Sequence, residues 1–96
     1  MFVLITYDVS TETDAGKKRL RKVAKVCLNY GQRVQNSVFE CLIDPGRFKH
    51  LQLTLENLID KEKDSLRFYF LGNEWRGKVV HIGAKASFDL EGPLIA

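Results

Sequence analysis

The 96-residue sequence contains only two cysteines and no long apolar run. The first shortage argues against disulfide-stabilised and zinc-binding proteins, and the second against membrane-spanning ones. Cys27 and Cys41 lie within apolar segments and lack CxxC or CxxH spacing, which argues against a disulfide or zinc site and indicates buried, reduced thiols in a cytoplasmic protein. No apolar run approaches the ~18 residues that a membrane-spanning helix needs, so no membrane partner is expected. Met1 leads directly into apolar sequence without a basic segment, so no signal peptide is predicted.

Motifs for nucleotide binding and nucleophilic catalysis are also missing. There is no GxGxxG sequence and no Walker motif. His50 is predicted to lie in a helix and His81 in a strand, with no Ser or Cys beside either in a known catalytic arrangement. Both histidines are therefore interpreted as structural.

The composition is that of one ordinary folded domain, with 45% hydrophobic and 28% charged residues. A chain of this length buries only about 60–65% of its unfolded surface, so dimerisation would add useful stability. The net charge of +3 is a mild indication of a polyanionic partner.

The first strong pattern is residues 2–8, where large apolar and β-branched residues predict a buried strand that ends in Asp8. A buried carboxylate without a partner is unfavourable, so Asp8 is expected at an opening that water, a cation or a partner chain can reach. The simpler interpretation is a turn residue or a helix cap after the strand.

The rest of the chain alternates between helical and extended patterns. A helix is predicted over residues 14–30, capped by Thr13 or Asp14 and ended by Gly31 in a left-handed conformation. Residues 33–43 are strand-like, with Asn36-Ser37 forming either a bulge in one bent strand or the turn of a hairpin. Asp44-Pro45 opens a second helix that ends near residues 61–64, and strands are predicted over residues 65–71 and 78–82.

With a hairpin at residues 33–43, this order becomes βαββαβ, an α+β ferredoxin-like antiparallel sheet with two helices on one face, plus a C-terminal strand and tail. Residues 1–83 are interpreted as the domain, and residues 84–96 as a tail that docks on a partner or a dimer mate. Apolar residues on both strand faces indicate that the open face is covered, most simply by a second copy in a homodimer.

Residues 17–25 carry the densest charge, since six of the nine are basic and none is acidic. Helical spacing places four of them on one exposed stripe, to which Arg33 is a possible extension. This stripe is either an ordinary solvated face or a surface that contacts nucleic-acid phosphates with little base readout. The four residues of the stripe are Lys18, Arg21, Lys22 and Lys25.

Asp8 is the main candidate for metal binding, and Glu12 and Asp14 are weaker ones. Mg²⁺ commonly takes one or two carboxylates and keeps several waters. One Asp per chain is few for a metal-dependent nuclease, but two copies of Asp8 facing each other across a two-fold axis would supply a pair.

Four segments together resemble a known family, the CRISPR-associated protein two family, the small subunit of the spacer-adaptation machinery. They are Tyr7-Asp8 at the end of the first strand, the Arg19-x-Arg21 pair, residues 33–40 (RVQNSVFE) and residues 89–95 (DLEGPLI). The resemblance covers nearly the whole chain.

The resemblance implies a ferredoxin-like homodimer with metal-dependent endonuclease activity on single-stranded RNA or double-stranded DNA. It also implies that the dimer bridges the CRISPR integrase while protospacer DNA lies along it. By position, Asp8 would bind Mg²⁺ (or Mn²⁺) together with its dimer mate and be catalytic. Six further residues would line the substrate groove or support the dimer, namely Tyr7, Arg19, Arg21, Arg33, Ser37 and Phe39.

Three functional hypotheses follow from the sequence. The first is a nuclease whose cleavage depends on Asp8, and the second is a scaffold that binds DNA and the integrase without cleaving. The third is a small regulatory domain that binds a metabolite, which predicts no salt-sensitive affinity for nucleic acid.

Overall fold

The structure is a computed structural model that describes residues 1–71 and 79–84. Within these residues the chain forms five strands and two helices in a β-α-β-β-α-β-β order. In sequence they are β1 (Phe2–Asp8), α1 (Asp14–Tyr30), β2 (Gln32–Gln35), β3 (Val38–Leu42), α2 (Pro45–Leu58), β4 (Ser65–Leu71) and β5 (Val79–Gly83). No helix among the described residues is long and apolar enough to cross a membrane.

The strands form one antiparallel sheet in the order β2-β3-β1-β4-β5. The first four strands and the two helices form the predicted ferredoxin-like arrangement, and β5 extends the sheet beyond β4. The predicted fold class is therefore confirmed.

β1 lies at the centre of the sheet and alternates as its sequence predicts. Val3, Ile5 and Tyr7 are buried on the face that carries the helices, where side chains of both helices join them in the core. Such burial stabilises the fold by roughly 1.5–3 kcal/mol for each large apolar side chain. Asp8 ends the strand in an exposed position.

Helix α1 has the predicted bounds, and Thr13 is its N-cap because its side-chain oxygen accepts a hydrogen bond from the Gly16 N–H at 3.0 Å. The prediction of a left-handed Gly31 is wrong, since its φ of −161° is extended backbone. Glycine is needed there for space instead. A Cβ at Gly31 would lie 2.1 Å from the carbonyl oxygen of Glu40 and 2.7 Å from the Sγ of Cys41.

Residues 33–43 form a hairpin rather than one bent strand. Gln35 pairs with Val38 across the Asn36-Ser37 turn, and the register shifts between Arg33 and Gln35. The hairpin places β3 beside β1, so the turn alternative at Asn36-Ser37 is confirmed, whereas the irregularity in β2 lies outside that pair.

Helix α2 begins as predicted, because the Asp44 carboxylate accepts a hydrogen bond from the Arg47 N–H at 2.8 Å and Pro45 is the first helical residue. It ends at Leu58, earlier than the predicted residues 61–64. The backbone of Ile59 is already extended, with ψ of 162°. Asp60 then begins a tight loop, in which the Asp64 N–H donates to the Asp60 carbonyl oxygen and the Asp60 N–H donates to Asp64 Oδ2. The loop replaces the last predicted helical turn.

The face of the sheet opposite the helices carries a row of exposed apolar side chains at one end. Phe2 pairs with Leu42 on one side and with Leu71 on the other, and the three side chains are 38%, 80% and 38% exposed. The predicted tail, residues 84–96, lies outside the described residues apart from Ala84.

Candidate nucleic-acid site

The loop after β1 forms a concave surface that encloses about 510 Å³, at the end of β1 where Asp8 is exposed. Residues 8–13 line it together with Lys63. The local sequence explains this geometry, because the apolar strand ends at Asp8 and Thr13 starts a helix five residues later. The surface therefore combines an exposed carboxylate with a short polar loop.

Carboxylate oxygens at this surface suit a hard divalent cation. Asp8 and Glu12 both line it, and Asp14 lies in the first turn of α1. No group of three or more His, Cys, Asp or Glu residues is positioned to hold a metal ion within residues 1–71 and 79–84 of one chain. Because Mg²⁺ commonly keeps several waters, one or two carboxylates fit its chemistry.

The basic stripe of α1 is exposed as its spacing predicts, at positions i, i+3, i+4 and i+7 of the helix. It spans about 10 Å of helix axis, given a rise of 1.5 Å per residue. Such a row of cations can contact successive phosphates without reading bases. All four of its residues, Lys18, Arg21, Lys22 and Lys25, are exposed.

Tyr7, Ser37 and Phe39 meet beside Asp8, where the hairpin turn adjoins the end of β1. The Tyr7 N–H donates to the Ser37 carbonyl oxygen at 3.1 Å, and the Tyr7 hydroxyl donates to that of Asn36 at 3.3 Å. Tyr7 stacks on Phe39 with ring centroids 6.0 Å apart, and both rings are buried. Burial raises the pKa of Tyr7.

Arg33 lies over the same cluster from the exposed edge strand β2. Its guanidinium carbon is 5.2 Å from the centroid of the Phe39 ring, a cation–π contact. Within one chain, Tyr7 and Phe39 thus act as packing groups, whereas Arg33 is an exposed residue whose guanidinium lies on the Phe39 ring.

Arg19 is directed differently from Arg21, although the two are only two residues apart. The Arg19 Nε donates to Asp64 Oδ2 at 2.7 Å and its Nη2 donates to Oδ1 at 3.3 Å. The side chain of Arg19 is 19% exposed and that of Asp64 is 0% exposed. The structure therefore separates Arg19 from the exposed stripe.

Asp64 lies next to the candidate site but was not predicted to belong to it, because the sequence places this residue near the end of the second helix. Burial alone raises the pKa of this carboxyl, but hydrogen bonds from Arg19, Asp60 and Ser10 outweigh it and hold the pKa below its ordinary value of 3.8. The Asp64 carboxylate is therefore a stable anion in the interior. Its sequence signal was an acidic residue directly before an apolar strand.

Of the two cysteines and two histidines, all but His50 have structural surroundings. Cys27 and Cys41 are free thiols in the core, and burial raises the pKa of Cys27 to about 12. His81 Nδ1 accepts from Arg67 Nη2 at 2.8 Å, which leaves its Nε2 to face the Gly83 carbonyl oxygen at 3.3 Å. His50 is exposed on α2.

The fold and the site define the protein first as a small ferredoxin-like α+β protein whose central strand ends in an exposed aspartate, with a basic helix on one face. The family model for "CRISPR associated protein Cas2" matches residues 1–79. The chain belongs to the CRISPR-associated Cas2 family.

Individual relatives agree with this assignment. The CRISPR-associated endonuclease Cas2 of Halalkalibacterium halodurans is 66% identical over 95 residues, which are 99% of each chain. The CRISPR-associated endoribonuclease Cas2 of Chlorobaculum tepidum is 61% identical, also over 99% of each chain. The crystal structure of Streptococcus pyogenes Cas2 at pH 6.5 is similar with a TM-score of 0.71 and 58% identity, covering 81% of this chain and 94% of that one.

Proposed function

We propose that this chain is a metal-dependent nuclease that acts as a homodimer in CRISPR adaptation. The observation that carries the proposal is Asp8, an exposed carboxylate that ends the central strand beside a concave surface. The relatives named endonuclease and endoribonuclease support phosphodiester cleavage as the reaction. Whether the substrate is RNA or double-stranded DNA is an outcome of the experiment below.

In this proposal Asp8 and the Asp8 of a second copy would together hold one Mg²⁺ or Mn²⁺ ion. A bound divalent cation activates water and neutralises charge on the phosphate. The Lys and Arg side chains of the α1 stripe bind the phosphates on either side of the scissile bond and keep the backbone in place. Arg33, at the edge of the sheet, extends the positive surface.

The homodimer is supported by the exposed apolar row on the open face. Phe2, Leu42 and Leu71 form one contiguous row across three strands, and such a row is unfavourable in water. A second copy of the same face covers it isologously and adds the apolar burial that a 96-residue chain needs.

The test is cleavage of single-stranded RNA and of double-stranded DNA by purified protein with Mg²⁺, with Mn²⁺ or with EDTA. We expect Asp8→Asn to lower the cleavage rate about 1000-fold, which corresponds to about 4 kcal/mol of transition-state stabilisation. Glu62→Gln removes an exposed carboxylate that does not line this surface and should leave the rate unchanged. Cleavage by Asp8→Asn at the wild-type rate would contradict the proposed role, and light scattering reports whether each variant is dimeric.

The exposed α1 stripe favours a second candidate, a scaffold that binds duplex DNA and bridges integrase subunits without cleaving. Reversing all four charges with Lys18→Glu, Arg21→Glu, Lys22→Glu and Lys25→Glu should then abolish DNA binding and spacer integration, while Asp8→Asn leaves integration intact. Retained integration after the charge reversal would exclude the scaffold. If the protein shows no salt-sensitive affinity for nucleic acid, the metabolite-binding alternative would instead be favoured.

A further inference from the structure

The Asp64 carboxylate is 0% exposed, and it accepts four hydrogen bonds from within the protein. Oδ1 accepts from the Ser10 N–H at 2.9 Å and from Arg19 Nη2 at 3.3 Å. Oδ2 accepts from Arg19 Nε at 2.7 Å and from the Asp60 N–H at 2.9 Å. The carboxylate therefore connects the β1–α1 loop, helix α1 and the loop before β4.

The backbone of Asp64 is fixed as tightly as its side chain. Its N–H donates to the Asp60 carbonyl oxygen at 2.7 Å, and its own carbonyl oxygen accepts from the Ala84 N–H at 3.0 Å. Gly83 passes so close that a Cβ there would lie 2.1 Å from this carbonyl oxygen. Asp64 cannot shift without breaking contacts in several segments.

This anchored residue lies immediately beside the proposed catalytic strand end. Asp8 is the register partner of Ser65, the residue after Asp64, and Ser10 follows Asp8 by two residues. The first turn of α1 also packs closely on the loop, since a Cβ at Gly16 would meet the Ser10 carbonyl oxygen at 2.0 Å. The backbone after Asp8 thus contacts both Asp64 and helix α1.

We propose that Arg19 and Asp64 are a pair of positioning residues that fix the loop after Asp8, and that Arg19 acts through Asp64 and not on the phosphate of the substrate. The inference rests on the proposed function of Asp8 and adds the residues that orient it. Two of the Arg19 nitrogens already donate to one carboxylate, whereas Arg21 is exposed on the stripe.

Lysine substitution separates these two roles. A phosphate contact tolerates Lys, because an ammonium supplies the same charge to an anion. The Asp64 contact requires the planar guanidinium, because its two parallel N–H groups match both carboxylate oxygens. Arg19→Lys therefore tests positioning at constant charge, and Arg21→Gln, two residues along the same helix, is compared with it to show the effect of losing a phosphate contact.

The first experiment measures kcat and KM for cleavage, and DNA affinity in EDTA at several salt concentrations. We expect Arg19→Lys to lower kcat about 10- to 100-fold, the usual cost of losing a group that orients a metal ligand. KM, affinity and the salt slope should stay at wild-type values. Arg21→Gln should instead weaken DNA binding and reduce the salt slope by about 1.

The second experiment tests whether the two residues act as a unit, using Asp64→Asn and the double variant Arg19→Lys with Asp64→Asn. For a pair that acts together, the double variant should lose no more kcat than the more damaging single one. Amide exchange at Ser10 should accelerate in Asp64→Asn, because its N–H loses a carboxylate acceptor. If Asp64→Asn does not fold, the Arg19→Lys and Arg21→Gln comparison decides alone.

The inference is overturned if Arg19→Lys retains the wild-type kcat, or if Arg19→Gln reduces the salt slope as Arg21→Gln does. Additive losses of kcat in the double variant would also overturn it. Failure of the proposed function looks different, because Asp8→Asn would then cleave normally whatever the Arg19 and Asp64 variants do.

Discussion

Asp8 ends β1 and Asp64 directly precedes the adjacent strand β4 at the same end of the sheet, yet their surroundings are opposite. Asp64 is fully buried and receives four N–H donors, whereas Asp8 is exposed on a concave surface. The first arrangement stabilises a charge inside the protein, and the second leaves a carboxylate accessible to ligands. The comparison shows that residue type alone does not separate a buried structural aspartate from an exposed one, since the burial that the tertiary structure imposes decides it.

The largest expected effect is on stability, and it should distinguish the two aspartates. Asp64→Ala removes the acceptor for the Ser10 and Asp60 amides and the partner of Arg19, so we expect the free energy of unfolding to fall by about 3–5 kcal/mol. Asp8→Ala should change it by no more than about 1 kcal/mol, as for other exposed charges. Urea unfolding followed by circular dichroism measures both, and equal losses would remove the distinction.

At acidic pH the protein should lose part of the stability that the Asp64 carboxylate contributes. The pKa of Asp64 is lowered in the folded state, so its contribution is complete above the unfolded-state pKa of about 3.9 and is lost as the pH falls through the lower folded-state value. The stability difference between wild type and Asp64→Asn should therefore shrink on acidification from pH 5. Unfolding curves at pH values from 2 to 5 test this, and a constant difference would contradict the buried ion pair.

A smaller effect is expected at Gly83, which packs on the Asp64 backbone. Its φ of +115° disfavours any other residue, and an added Cβ would lie 2.1 Å from the Asp64 carbonyl oxygen. Gly83→Ala should cost about 1–3 kcal/mol of unfolding free energy. Gly46→Ala is the matched control, because its nearest neighbour would be 3.4 Å away and Ala favours the helix by about 0.5–1 kcal/mol. Loss of stability in both variants would show that glycine content, not the Asp64 contact, matters.

The smallest effect is expected for Asp8→Ala on the reactivity of the buried Cys27. Burial raises the pKa of this thiol to about 12, so alkylation in the native state should be very slow and should depend on transient unfolding. Asp8→Ala should keep the labelling rate close to that of wild type, within about the fivefold that 1 kcal/mol permits, whereas Asp64→Ala should raise it strongly. Mass spectrometry after timed iodoacetamide labelling measures both rates. Fast labelling in Asp8→Ala would indicate that Asp8 is also structural.

Much of the fold was predictable because its signals are local. The alternation of residues 2–8, the Thr13 cap and the Asp44-Pro45 start depend on a few neighbouring residues, and the structure has the corresponding elements at those positions. The choice between a bent strand and a hairpin was left open, because it depends on whether β1 pairs with β3.

The candidate site was predictable only in part. The exposed strand end at Asp8 and the exposed α1 stripe follow from periodicity. The contact of the Arg19 side chain with Asp64 does not follow from periodicity, because Asp64 lies 45 positions further along the chain. The early end of α2 was also not predicted, although the loop that replaces its last turn is closed by hydrogen bonds between Asp60 and Asp64, only four positions apart.

The sequence by itself determined the order of the elements, the apolar strand ending at Asp8 and the positive charge of α1, because these depend on the spacing of residues that are close in the chain. Only the tertiary structure decided that Asp64 is a buried anion, that Arg19 is its partner, and that Gly31 is needed for space rather than for a left-handed turn. The physical reason is that burial, charge pairing and close backbone contact are set by segments that are distant in sequence.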